Sequence, residues 1–66
     1  MFKLRLKARR EQLGLSQAAL AEKVYVTQQM IAAYETGIRR PNLDIFTAIA
    51  DVLECSADYL LGRTDK

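Results

Sequence analysis

The chain has no histidine and no tryptophan, and only one cysteine, one proline and three glycines among its 66 residues. Without histidine it lacks the commonest general base and the commonest metal ligand. One thiol permits no disulfide framework. Cys55 stands between Leu53 and Ser56 beside the acidic Glu54, a setting that gives no thiolate activation, so it reads as a small apolar packing residue. A lone thiol suits a reducing compartment, and the expected location is the cytoplasm. No apolar run approaches the ~18 residues of a membrane span, and the basic N-terminus lacks the apolar stretch of a signal peptide. No nucleophile has a base beside it, and the carboxylates are scattered. The chain is therefore not expected to be an enzyme, nor to hold a metal, a cofactor or a small-molecule ligand.

What is present is a hydrophobic fraction of 50 % in a chain the size of one small domain, residues 1–66, with Met1 reading as a native start. The apolar residues recur at helical spacing. In Gln17–Val24 (QAALAEKV), Leu20, Ala21 and Val24 fall on one face; in the segment after Thr27 (QQMIAAYET), Ile31, Tyr34, Glu35 and Ile38 do the same. These are two short helices joined by a tight turn over 17–36. The opposite face of the second carries Gln29, Ala32, Ala33 and Thr36, with Gln28 beside them. That face is small, uncharged and able to donate and accept hydrogen bonds, which suits a helix entering the major groove of DNA.

The flanking segments complete an all-α architecture. Residues 2–13 form a first helix with Phe2, Leu6 and Leu13 on one face and Arg9 and Arg10 on or beside it. Ser16, Thr27, Asn42 and Ser56 are N-caps, and Gly14, Gly37 and Gly62 fall just past helix ends. A fourth helix presents Phe46, Ile49, Ala50 and Leu53, and ADYLL makes a short fifth. Arg63 to Lys66 looks like a tail. An arginine on an apolar face needs a partner, and Glu35 is the carboxylate placed to serve; periodicity does not choose between Arg9 and Arg10.

Charge is unevenly divided. Residues 1–40 hold eight bases against three acids, a net +5, and residues 41–66 hold two against five, a net −3. One end of the chain suits a polyanion and the other repels it. The N-terminus of the second helix, with Gln17 as its first side chain, and the adjacent Arg39 and Arg40 are placed to meet phosphates.

The stretch LGLSQAALAEKV..TQQMIAAYETGIRRP resembles the Cro/repressor-type helix-turn-helix family of xenobiotic-response-element-like regulators, whose best-known members are the DNA-binding domains of lambdoid phage repressors. The resemblance runs from about Leu6 to Gly62 and includes the closing S-x-D-Y-L-L-G. It implies a compact five-helix, lambda repressor-like fold. It also implies that Gln17, Thr27, Arg39 and Arg40 contact phosphate, and it selects Arg10 as the partner of Glu35 in a structural ion pair. Two positions depart from the family. Residue 25 is usually glycine because the turn favours positive φ, and here Tyr25 means either a rearranged turn or local strain of about 1–2 kcal/mol. Arg9 stands where many members have an apolar residue; its stem can cover the core edge while its charge stays in water.

The expected function is a sequence-specific regulator of double-stranded DNA, a repressor. Gln28 and Gln29 would read adenine through paired hydrogen bonds, and Ala32 and Ala33 would pack on thymine methyls. So small a domain makes few contacts alone, so a homodimer on a near-palindromic operator is expected, with half-sites one helical turn apart, about 34–36 Å. Tyr59, Leu60 and Leu61 are the expected dimer surface, since three large apolar side chains in a row cannot all face one core. The rival reading is an antitoxin-like or adaptor module whose main partner is another protein.

Overall fold

The computed structural model describes residues 1–64 and contains five helices, α1 (Phe2–Gln12), α2 (Gln17–Lys23), α3 (Gln28–Thr36), α4 (Leu43–Val52) and α5 (Ala57–Leu60), with no strand among those residues. Each of the last four starts where a side chain can satisfy an orphan backbone donor. Ser16, Thr27, Asn42 and Ser56 accept from the N–H three residues on, at 3.0, 3.2, 2.9 and 3.0 Å. α1 starts at Met1 without such a cap.

All five helices end in the same way. At or just after the C-cap one residue takes a left-handed conformation, and the next N–H bonds back to a carbonyl five residues earlier: Leu15 to Arg10, Val26 to Ala21, Ile38 to Ala33, Cys55 to Ala50 and Arg63 to Asp58, at 2.9–3.2 Å. Glycine occupies the left-handed position three times, but Tyr25 (φ 61°) and Glu54 (φ 56°) occupy the other two. The turn after α2 is therefore not rearranged around Tyr25; the side chain accepts the conformation and points into solvent, 94 % exposed. The stop at Glu54 carries no glycine or asparagine, and nothing in the sequence marked it.

The core draws on every helix: Leu6, Leu20, Ile31, Ile49, Leu53 and Leu60 are fully buried. α3 packs on α2 and α1, α4 touches α2 and α5, and α5 returns to α1. Phe2 and Phe46 close one edge with ring centroids 5.5 Å apart. Ile38 was expected on the inward face of α3 and is instead 79 % exposed. Gly37 ends the helix in the left-handed region (φ 83°), so the 3.6-residue period no longer governs the residue after it. Asp65 and Lys66 of the expected tail lie outside the described residues. Arg63 and Thr64 are tied down, the first through its N–H to Asp58 and the second through its carbonyl, which accepts from Arg5 Nη1. No helix among the described residues is long and apolar enough to cross a membrane.

Candidate nucleic-acid interface

The three arginines of α1 each fasten a different element. Arg5 lies over the Tyr59 ring at 4.6 Å and donates to the Tyr59 carbonyl at 3.1 Å, holding α5. Arg9 donates through Nε to the Leu53 carbonyl at 2.8 Å, satisfying an orphan acceptor at the end of α4. Only Nε is taken up in this way; Arg9 is half-buried, and its Nη1 donates to Gln12 Oε1 at 3.2 Å on the exposed side. Arg10, 8 % exposed, makes a two-point contact with Glu35, Nε to Oε2 at 2.6 Å and Nη2 to Oε1 at 3.0 Å. Arg10 Nη1 also donates to the Leu15 carbonyl at 2.7 Å. The hydrogen bond to Glu35 raises the Arg10 pKa above its ordinary value against the opposing effect of burial.

Part of the positive charge counted along residues 1–40 is therefore engaged inside the fold. Exposed cations remain at Lys3, Lys7, Lys23, Arg39 and Arg40. Lys3 and the Arg39–Arg40 loop come close together, because the Lys3 stem runs over Gly37. A Cβ on Gly37 would stand 3.1 Å from Lys3 Cδ. A separation of 34 positions hid Lys3 from any reading of local spacing.

Gln17 joins the buried pair: its Nε2 donates to Glu35 Oε1 at 3.2 Å. One carboxylate thus links α1, α2 and α3, setting the start of α2 against the end of α3. The carboxylate only accepts, so it turns the Gln17 nitrogen inward. One Nε2–H is committed there and the second is left for another acceptor.

At the start of α3, Thr27, Gln28 and Gln29 are exposed, and Ala32 and Ala33 are half-buried one turn further on. Ile31 and Tyr34, 0 % and 2 % exposed, anchor the opposite face, and Met30 packs against the core from the flank. The outer face of α3 is therefore held by a rigid inner one, with Arg39 and Arg40 exposed just beyond its end. Among the described residues no group of three or more His, Cys, Asp or Glu is placed to hold a metal ion. Cys55 is half-buried against the core, and burial raises its thiol pKa while Arg9 partly opposes the shift.

The surface expected at residues 59–61 is only partly a surface. Leu60 is 0 % exposed and belongs to the core, so it is not available to a second copy. Leu61, 46 % exposed, turns outward, and Tyr59 is half-buried under Arg5. A one-turn helix aims one leucine of the pair inward and the other away.

Residues 6–60 match the family model HTH_3, Helix-turn-helix. The HTH-type transcriptional regulator YqaE of Bacillus subtilis, itself uncharacterized, is 39 % identical over 61 residues, covering 92 % of this chain and 53 % of its own length. Repressor protein C2 of Salmonella phage P22 is 40 % identical over 57 residues, covering 86 % of this chain and 26 % of that protein. The chain thus spans about half the length of one relative and about a quarter of the other. The crystal structure of the P22 c2 repressor with a synthetic operator superposes with a TM-score of 0.92 at 36 % identity, covering 97 % of each chain. The motif, the fold and these relatives agree, and the chain belongs to the helix-turn-helix family.

Proposed function

We propose that this chain is the DNA-binding unit of a transcriptional repressor that recognises a specific double-stranded operator in the cytoplasm. The observation that carries the reading is its close likeness, along nearly its whole length, to a repressor solved on an operator. Fold alone assigns no function. This chain itself carries an uncharged outer face on α3 with exposed cations beside it, which are the parts that DNA binding requires.

In this reading α3 enters the major groove. Gln28 and Gln29 hydrogen-bond base edges, with adenine the natural match for an amide, and Ala32 and Ala33 lie against thymine methyls. Gln17 gives its second Nε2–H, and Thr27 its hydroxyl, to phosphate oxygens. Arg39 and Arg40 contact the backbone from the loop after α3, fixing register without reading sequence. Two copies bind a near-palindromic site, with Leu61 and Tyr59 at the contact between them. The reading assigns no catalytic step.

Selection from a random double-stranded DNA library at two salt concentrations tests it. The expected product is an inverted repeat with half-sites about 34–36 Å apart and adenines in each half. Salt-sensitive binding without any enriched motif would remove base readout by Gln28 and Gln29 and favour a module whose main partner is a protein.

A further inference from the structure

Three of the large apolar side chains that the fold leaves outside converge on one place. Met1, Leu43 and Leu61, 65 %, 76 % and 46 % exposed, line a half-open groove of about 640 Å³ between the start of α1, the loop after α3 and the start of α4. That volume lies in the range of ligand-sized clefts, ~300–1,000 Å³. Lys3, Arg39 and Arg40 line the same groove, and no carboxylate does. None of these three cations has an ion-pair partner among the described residues. An apolar bed edged by unpaired cations of one sign selects what fills it: a segment with apolar side chains on one face and carboxylates along its margins. The second copy proposed to meet Leu61 and Tyr59 does not fill this groove, because seating it symmetrically there would set Lys3, Arg39 and Arg40 against their own counterparts, which like-charge repulsion disfavours.

We propose that this groove docks an acidic amphipathic helix of a partner protein, and that docking excludes operator DNA. The exclusion rests on the reading of Arg39 and Arg40 as phosphate contacts. The same two guanidiniums cannot pair with carboxylates and with the DNA backbone at once, so the partner acts as a release device for the repressor. Leu43 and Met1 supply the apolar grip and Lys3 the third cation.

The probe is a fluorescein-labelled helical peptide with leucines at i, i+3, i+4 and i+7 and glutamates on both flanks. Its controls are the same peptide with lysine for glutamate and one with alanine for leucine. Anisotropy titration against the full chain is expected to show binding of the first peptide only. Leu43→Ser should weaken it by roughly tenfold or more, since a buried leucine contact is lost. Leu43 is 76 % exposed, so Leu43→Ser should keep its helical circular dichroism and melting temperature, which are measured alongside. Lys3→Glu should weaken the peptide as well. Unlabelled operator, taken from the selection above, should displace the peptide. Equal binding of the lysine peptide, or no effect of Leu43→Ser, would overturn the proposal, as would a concentration-dependent dimer that Leu43→Ser abolishes, which would make the groove a self-association surface. If the peptide binds and an operator that the chain itself binds does not displace it, docking stands and the exclusion falls; if the chain binds no DNA at all, the repressor reading falls. If DNA binds and the peptide does not, only the docking proposal fails.

Discussion

Glu35 accepts two hydrogen bonds from Arg10 and a third from Gln17, so one carboxylate that is 4 % exposed joins the structural pair to a residue placed at the candidate interface. The lock that holds α1 to α3 is therefore also what orients Gln17.

Removing that carboxylate leaves the Arg10 guanidinium buried without its counter-ion. Glu35→Ala is expected to cost about 3–5 kcal/mol, a large part of the stability of a domain this small. Thermal unfolding should show the loss. The double substitution Arg10→Met with Glu35→Leu should recover much of it, because no charge is then stranded. Unchanged melting in Glu35→Ala would mean that the pair contributes nothing.

Tyr25 sits at φ 61° with its side chain in solvent, so strain is not offset by burial. Replacing it with glycine relieves the left-handed penalty but adds freedom to the unfolded chain. The net gain expected is about 1 kcal/mol, seen as a higher midpoint in urea with an unchanged slope. Tyr25→Phe should leave operator affinity as it was; a weakened complex would assign the hydroxyl a phosphate contact.

Gln29 and Arg40 should fail differently. Gln29→Ala is expected to relax preference at one base pair by about 1–3 kcal/mol while non-specific binding persists. Arg40→Ala should weaken binding to every sequence and reduce the salt slope by about 0.9. Titrations at several salt concentrations, on operator and on scrambled DNA, separate the two. A uniform loss in Gln29→Ala would end its role in readout.

Burial raises the Cys55 thiol pKa above its ordinary value, so the folded chain holds this proton to higher pH than the unfolded chain does. The contribution is intact below the unfolded pKa and is lost as pH rises through the folded one. Stability should therefore fall on the alkaline side, and Cys55→Ala should flatten that part of the curve. At neutral pH the folded thiol should react with iodoacetamide more slowly than free cysteine. A faster reaction would contradict its packing role.

Much of this protein was determined by its sequence alone, because the signals are local. Ser16, Thr27, Asn42 and Ser56 start helices through bonds that span three residues, and Gly14, Gly37 and Gly62 end them through a preference of one residue. The pattern of apolar residues between those marks is enough to place the helix-turn-helix and to turn Gln28 and Gln29 outward. Tertiary structure decided what depends on residues far apart. Arg9 finds Leu53 across 44 positions, Arg10 finds Glu35 across 25, and the Lys3 stem crosses Gly37. Leu60 goes inward while Leu61 stays out, and Ile38 leaves the face its spacing assigns. Hydrophobicity alone treats those residues alike; only the position of the neighbouring helices tells them apart. The groove edged by Lys3, Arg39 and Arg40 is of the same kind, since no stretch of the chain contains it.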